Sequence, residues 1–266
     1  MIGRLLAQLV PDTRHDEMEV IVVANGCTDD TATVAASFGS SVRVLSVPVA
    51  SKREALAAGD RAAKGYPRVY LDADVELRAE DVSALAEALS HPGVLAAGPQ
   101  RVVATAESPW PVRWYYDIWS RLPEVRAGLF GRGVIAVSEA GHARVASLPP
   151  LLSDDLAASL VFAPDERTIV AGARVVVHPP RTIKDLLRRR VRVVTGVTQI
   201  ERATNTPDSV ARTRLQDLLT LIGKEPRMTP RLFVFLAVTV LARMRGSWTV
   251  RRRDYSTWLR DESSRQ

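Results

Sequence analysis

The sequence predicts an α/β fold in which a mostly parallel sheet is flanked by helices. From Glu19 to Ser90, apolar runs typical of strands alternate with helical patterns, as in a parallel sheet with helices packed on it. Two runs, Glu19–Asn25 and Val69–Leu71, are apolar almost throughout, which is typical of strands covered on both faces. Both runs end in polar residues, and ligands of such sheets bind beyond the carboxyl ends of the strands.

Each element has its own local signal. Residues Ile2–Val10 are predicted to be helical because their leucines fall on one helical face. Further helices are predicted from Thr28 or Asp29 to about Phe38, from Ser51 to Gly65 and over 82–89, with strands at Val42–Val47, Val94–Thr105, Val134–Val137 and Val175–His178. A cluster of tryptophans and tyrosines over 110–119 predicts core packing, although aromatic side chains also stack on sugar and base rings.

Composition limits the class of protein. With 266 residues, 46% hydrophobic and 25% charged, the chain is long enough for a substantial core. The net charge of +6 is concentrated in Arg181–Arg192 and Arg243–Arg253, which favours phosphate-bearing ligands or an anionic membrane surface. No zinc-finger spacing or ribonucleoprotein pattern is present, so no nucleic-acid partner is predicted. A single cysteine, Cys27, fits a reducing cytoplasm.

The strongest candidate for a metal site is the segment Arg68–Asp74. If the strand continues through it, side-chain alternation places Asp72 and Asp74 on the same side. Two neighbouring carboxylates repel unless a positive charge lies between them. A divalent cation that carries a diphosphate satisfies this requirement, because hard cations bind carboxylates together with substrate phosphates. The alternative is an aspartate-rich turn after the strand.

Three further groups are candidates, each with a structural alternative. Asp154 and Asp155 lie at a predicted helix start, where acids either serve catalysis or cap the helix. Arg189 and Arg192 belong to a basic run that either reaches a diphosphate or forms a solvated face. His178 ends a predicted strand and either contacts a metal or phosphate or is structural.

The C-terminal residues 201–266 are predicted to form a helical extension of a domain that spans 1–200. One helix is predicted to start at Thr206 and to run through Ile222. Within a second helix, predicted from Thr229 to Gly246, Leu232–Ala242 carries no charge. At about 1.5 Å per residue this segment covers about half of the roughly 30 Å hydrocarbon layer, so it cannot span a membrane. It is either a core-packing helix or an in-plane membrane helix, and residues 228–253 are the candidate peripheral membrane contact.

With these residues in place, the sequence resembles the nucleotide-sugar glycosyltransferases of family 2, which have the GT-A fold, from residue 1 to about residue 200. Val22–Thr31 is similar to the family's N-D-G-S-T-D turn, with Asn25 in the place of its nucleotide-binding aspartate. Lys52 matches the basic residue before the family's A-L-N-x-G helix, here Ala55–Gly59. Asp72-Ala73-Asp74 matches its D-x-D motif.

Two downstream motifs extend the resemblance. Asp154-Asp155 matches the family's E-D pair, whose second acid is the catalytic base. Arg189–Val193 lies where processive members carry Q-x-x-R-W, and only Arg192 is kept. The substitutions at the other positions weigh against a processive polysaccharide synthase.

The resemblance implies an inverting transfer of a sugar from a nucleoside diphosphate sugar to an acceptor hydroxyl. The acceptor is a polysaccharide, a lipid carrier or a small metabolite, and the setting is cell-envelope polysaccharide or glycolipid synthesis in the cytoplasm or at the inner face of the plasma membrane. The resemblance implies that Asp74 and Asp72 bind Mn²⁺ or Mg²⁺ and that Asn25, Lys52 and Asp72 bind the nucleotide. It implies that Asp155 accepts the proton of the acceptor hydroxyl. Lesser contacts with the diphosphate or the acceptor are implied for Asp154, Arg189, Arg192 and His178. The alternatives are a sugar-phosphate nucleotidyltransferase and a non-catalytic binding or scaffold protein derived from a glycosyltransferase.

The sequence departs from the family at its start. The family opens with an apolar strand in the middle of the sheet, whereas Met1–Arg4 resembles the helix that follows that strand. Either the true start lies upstream or the strand has been lost. A missing central strand leaves backbone groups and apolar surface uncovered on its neighbours. We therefore expect a gap in the sheet, or its filling by another segment, and reduced stability.

Overall fold

The computed structural model describes residues 1–10, 18–148, 154–204 and 213–251, with 154–155, 198–204 and 247–251 described by their backbone alone. The helices are α1 Ile2–Leu9, α2 Thr31–Ala36, α3 Lys52–Ala62, α4 Ala79–Leu89, α5 Trp110–Trp119, α6 Pro123–Ala127, α7 Glu139–Ala146, α8 Asp154–Leu160, α9 Ile183–Thr204, α10 Leu215–Lys224 and α11 Thr229–Arg251. The strands are β1 Val20–Asn25, β2 Val42–Val47, β3 Arg68–Leu71, β4 Val75–Glu76, β5 Ala96–Val103, β6 Val134–Val137 and β7 Arg167–Val177. The α/β class predicted from the alternating pattern is confirmed.

The described strands form two sheets. One contains β1 and β2, which pair in parallel with Val20 opposite Val42. The other has the order β3-β6-β5-β7-β4, in which β5 and β7 are parallel and the remaining pairs are antiparallel. Helix α3 connects the two sheets, because it follows β2 of the first sheet and precedes β3 of the second. Helix α3 begins where predicted, since the Ser51 hydroxyl accepts a hydrogen bond from the Glu54 amide.

The gap expected in the sheet is present among the described residues. Strand β1 pairs only with β2, and β3 pairs only with β6, so each has one edge without a ladder partner in the described part of the chain. A cavity of about 2200 Å³ is lined by residues of both strands, including Val23 and Leu71. Helical side chains such as Leu56 and Val82 also line the cavity. The space between β1 and β3 is therefore large enough to hold a whole strand.

The C-terminal helices form a second hydrophobic core against α5. Tyr115 is fully buried, and its ring stacks on that of Phe235 with centroids 5.1 Å apart. This confirms core packing for most of the aromatic cluster, although Trp110 is 58% exposed. No helix in the described ranges is long and apolar enough to cross a membrane.

Three local predictions need correction or lie outside the described residues. The strand that contains Val69 ends at Leu71, and Asp72–Asp74 forms a turn before β4, so strand alternation does not apply to the two acids. Helix α11 continues past Gly246, because this glycine packs against Val194 of α9, where a Cβ would lie 3.0 Å from Cγ1. The helix start predicted at Thr206 lies outside the described residues.

Candidate active site

The two acids of the D-x-D segment line the large cavity together. Asp72 follows β3 and Asp74 lies two residues later in the exposed turn. The ammonium of Lys52, at the first turn of α3, lies 2.9 Å from Asp72 Oδ1. The Asp72 carboxylate is 44% exposed and the Lys52 side chain 39%, so both groups remain accessible from the cavity. A positive charge is therefore already paired with one of the two carboxylates.

A glycine positions Asp72 from the neighbouring strand. The Asp72 amide donates a 2.8 Å hydrogen bond to the Gly133 carbonyl, just before β6. Gly133 has φ +67°, and a Cβ at this position would lie 2.6 Å from Val75 Cγ1 and 3.4 Å from Asp72 Oδ2. A side chain at position 133 would thus displace the acidic turn, which explains why glycine is required.

The end of β1 lies against the start of α3. Asn25 is the last residue of β1 and lines the same cavity as Asp72. Gly26 follows with φ +57°, and its amide donates to the Val47 carbonyl at 2.8 Å. A Cβ on Gly26 would lie 2.6 Å from Ala50 Cβ, so the turn after β1 closely approaches the segment that leads to Lys52. The two predicted nucleotide contacts, Asn25 and Lys52, are brought together in this way.

Two arginines support the glycine-rich loop Gly128–Gly133. Arg132 is 2% exposed and donates to the carbonyls of Gly128 and Pro99 at 3.0 and 2.8 Å. Arg101 donates to the carbonyls of Phe130 and Gly131, at 3.1 and 3.0 Å. Its guanidinium carbon also lies 4.3 Å from the Trp119 ring centroid. The hydrogen bonds from these two buried guanidinium groups therefore fix the loop, including Gly133, whose carbonyl accepts from the Asp72 amide.

Burial alters the acidity of these arginines. Desolvation, with a smaller contribution from Arg132, lowers the pKa of Arg101 to about 9, and burial lowers the pKa of Arg132 to about 10. Both remain charged at neutral pH, and each has several carbonyl partners in place of a carboxylate. From its sequence alone, a glycine-rich loop such as Gly128–Gly133 predicts a turn and is only a weak signal for phosphate binding. The signal available was an arginine between two glycines, Gly131 and Gly133, and it does not by itself identify an inward-facing side chain.

His178 has a partner on β4. It follows β7 and lines the cavity, but its Nε2 lies 2.9 Å from Glu76 Oε1, which also lies 3.5 Å from an Arg4 guanidinium nitrogen. This pairing matches the structural alternative for His178. The same hydrogen bond orients the imidazole at the cavity wall. Its partner Glu76 follows Asp74 of the acidic turn by two residues.

The remaining candidates lie on helices at the cavity wall. Arg189 and Arg192 of α9 both line the cavity. Asp154 and Asp155 open α8, and their side chains lie outside the described residues. Leu156, in the first turn of α8, lines the cavity.

Acidic and basic side chains line the same cavity. Among the described side chains, no group of three or more His, Cys, Asp and Glu is close enough to hold a metal ion by itself. Asp72 and Asp74 are two carboxylates that line this cavity. The basic side chains of Lys52, Arg189 and Arg192 line the same cavity.

Comparison with known proteins agrees with this architecture. The model of glycosyl transferase family 2 matches residues 1–141, which is more than half of the chain. No curated protein matches the sequence. Among solved structures, a mannosyltransferase from Pyrobaculum calidifontis in complex with GDP-Man and Mn²⁺ is 18% identical, with a TM-score of 0.59 over 96% of this chain and 72% of that one.

A second solved structure is similar over most of the chain. Glucosyl-3-phosphoglycerate synthase from Mycobacterium tuberculosis, in complex with phosphoglyceric acid, is 22% identical, with a TM-score of 0.54 over 78% of this chain and 76% of that one. At these identities the two structures show a common fold, the GT-A fold of glycosyltransferases. Together with the family match and the alternating elements described above, they identify the chain as a member of glycosyl transferase family 2.

Proposed function

We propose that the protein is an inverting, metal-assisted glycosyltransferase that moves a sugar from a nucleoside diphosphate sugar to an acceptor hydroxyl in cell-envelope polysaccharide or glycolipid synthesis. Membership of the family supports the transfer of a sugar from a nucleotide donor. The observation that carries the proposal is the cavity shared by Asn25, Lys52, Asp72 and Asp74, with a 2.9 Å ion pair between Lys52 and Asp72.

A divalent cation, Mn²⁺ or Mg²⁺, fits the chemistry of the acidic turn. Asp72 and Asp74 would hold it, because both are carboxylates that line the cavity and hard cations prefer oxygen ligands. A metal bound there would share the Asp72 carboxylate with the ammonium of Lys52, which lies 2.9 Å from Oδ1. When bound, the metal supplies positive charge that stabilises the leaving diphosphate. The mannosyltransferase from Pyrobaculum calidifontis is in complex with both GDP-Man and Mn²⁺, which supports the same choice here.

The residues of the chain carry the other parts of the reaction. Asn25 and Lys52 bind the nucleotide portion of the donor at the carboxyl end of β1 and the start of α3. Asp155 accepts the proton of the acceptor hydroxyl as its oxygen attacks the anomeric carbon, and the bond from that carbon to the diphosphate oxygen breaks on the opposite face. Proton transfer to a positioned carboxylate typically contributes about 10²- to 10⁴-fold in rate. The first turn of α8 at the cavity wall supports this role for Asp155.

Four weaker candidates are assigned supporting roles. Arg189 and Arg192 would contact the diphosphate as negative charge develops on it, since both line the cavity. Asp154 would contact the acceptor beside Asp155. His178, held by Glu76 at 2.9 Å, would form part of the wall around the diphosphate.

The test measures donor turnover in two site variants. Asp74→Ala is expected to lower metal-dependent transfer or donor hydrolysis by about 10³-fold, because it removes a metal ligand. Asp155→Asn is expected to lower it by about 10²- to 10⁴-fold, because it removes the base. The matched control is Asp165→Ala, at an exposed aspartate away from the cavity, and it is expected to retain the parent rate. Near-parent rates in both site variants would overturn the assignment.

The two alternatives have different signatures. A sugar-phosphate nucleotidyltransferase would release pyrophosphate from a sugar phosphate and a nucleoside triphosphate. A scaffold protein would bind no nucleoside diphosphate in calorimetry with Mn²⁺ present. The acidic turn paired with Lys52 favours nucleotide binding, and the family match favours sugar transfer over nucleotidyl transfer.

A further inference from the structure

Helix α11 is apolar on two opposite faces. At about 100° per residue, positions 235, 238 and 242 share one face. All three side chains are buried, and Phe235 and Val238 belong to the second core. Positions on the opposite face are also apolar, and there the side chains are exposed. We call this face the α11 stripe; it consists of Phe233, Leu236, Ala237, Val240, Leu241 and Met244.

The α11 stripe is large for an exposed apolar surface. Phe233 is 69% exposed, Val240 53% and Met244 66%. At about 1.5 Å per residue the stripe is about 16 Å long, and no polar side chain interrupts it. Single exposed apolar residues need no explanation, but a continuous patch of this kind marks an interaction surface.

The surroundings of the α11 stripe are strongly basic. From Pro226 to Arg253, between Glu225 and Asp254, the sequence contains seven arginines and no aspartate or glutamate. One of the seven, Arg231, is paired with Asp117 at 3.1 Å. Of these arginines, Arg243 and Arg245 are exposed on either side of Met244, and Arg227 is exposed before the helix begins. The partner that covers the stripe must therefore be apolar where it meets the side chains and negative around them.

We propose that the α11 stripe docks on the surface of an anionic lipid bilayer, with the helix lying in the plane of the membrane. An anionic bilayer offers an acyl boundary for Phe233 and Met244 and negative headgroups for the arginines. A second copy of the chain fits less well, because it would bring two sets of arginines together with no acid in 226–253. The stripe covers about half of the roughly 30 Å hydrocarbon layer, which is consistent with binding along the surface.

Docking through α11 would place the membrane next to the cavity. Helix α11 also contributes Thr239, Ala242 and the exposed Arg243 to the cavity wall. If the proposed sugar transfer holds, this position favours an acceptor that is attached to a lipid. The docking itself does not depend on the transfer, so the two can fail separately.

The test is flotation of the full chain with lipid vesicles. The protein is expected to float with vesicles of phosphatidylcholine and phosphatidylglycerol (7:3) at least about 10-fold more than with phosphatidylcholine alone. Raising NaCl to about 0.5 M is expected to weaken this binding, because salt screens the headgroup attraction. Equal binding to both vesicles, or none to either, overturns the proposal without any variant.

Variants locate the contact. Phe233→Asp with Met244→Asp is expected to reduce flotation about 10-fold or more, whereas Val49→Asp, at a 62% exposed valine in a distant loop, is expected to float like the parent. Circular dichroism checks that each variant is folded, and donor hydrolysis in the absence of vesicles is measured in parallel as a separate readout. Unchanged flotation of the double variant overturns the assignment to α11. Concentration-dependent dimers abolished by the same double variant would identify a self-association surface and also overturn it.

Discussion

Strands β6 and β1, one from each sheet, differ in how completely they are buried, although both are apolar. In β6, Val134, Ala136 and Val137 are at most 4% exposed. In β1, the run VIVVAN is equally apolar, yet only Ala24 is buried. The difference arises at the edge of β1 that faces the cavity, where no described strand pairs with it. Apolar composition therefore predicts that a strand forms, while its burial depends on whether neighbours are present on both edges.

The residues of the proposed donor site are divided between the two sheets. Asn25 and Lys52, the proposed nucleotide contacts, are carried by β1 and by the helix that follows β2, whereas Asp72 and Asp74 follow a strand of the five-stranded sheet. A ligand that contacts both groups would connect the less buried sheet to the more buried one. We expect donor binding to stabilise the β1–β2 half more than the other half.

The largest effect is expected at Gly133, where the five-stranded sheet supports the acidic turn. Gly133→Ala is expected to lower the free energy of unfolding by about 3 kcal/mol, because it combines a positive φ with a contact of 2.6 Å to Val75 Cγ1. The matched control is Gly39→Ala, which has a similar φ of +64° and no atom within 4 Å of the added Cβ. It is expected to cost only about 1 kcal/mol. Equal losses in urea unfolding of the two variants would show that the close approach to Val75 has no energetic effect.

A matched pair of valines compares the two sheets directly. Val134→Ala is expected to lower the free energy of unfolding by about 2 kcal/mol, because two buried methyl groups are lost and a cavity remains. Val22→Ala, at a partly buried valine of β1, is expected to lower it by less than about 1 kcal/mol. Urea unfolding measures both values. If the loss at Val22 matches that at Val134, then β1 is as well covered as β6 and the contrast between the sheets is wrong.

The smallest effect on stability is expected at the ion pair between the two halves. Lys52→Ala is expected to change the free energy of unfolding by less than about 1 kcal/mol, because the pair with Asp72 is nearly half exposed and screened by solvent. Nucleoside diphosphate binding, measured by calorimetry with Mn²⁺, is expected to weaken about 10-fold, since a charge-assisted contact is lost. Lys64→Ala, at an exposed lysine outside the cavity, serves as the control for the loss of one positive charge. A parent-like affinity in Lys52→Ala would separate this lysine from the nucleotide site.

Local sequence signals predicted most elements but not their ends. The alternation of strands and helices up to Ser90, the cap at Ser51 and the aromatic core were all predictable, because each depends on residues close in sequence. The apolar run did mark Leu71 as the end of the strand, but the turn at Asp72–Asp74 was given only as the alternative, because two aspartates separated by one residue also fit the alternation of a continuing strand. The continuation of α11 past Gly246 was missed for a related reason, because this glycine serves close packing against α9.

The sequence by itself determined the fold class, the family resemblance and the residue types of the candidate site, because these depend on composition, periodicity and short motifs. Only the tertiary structure decided that Lys52 pairs with Asp72, that Glu76 holds His178 and that buried arginines support Gly133. It also decided that α11 is covered on one face and open on the other. The physical reason is that hydrogen bonds, ion pairs and burial join residues that are distant in the chain, and their partners cannot be found from the spacing of residues alone.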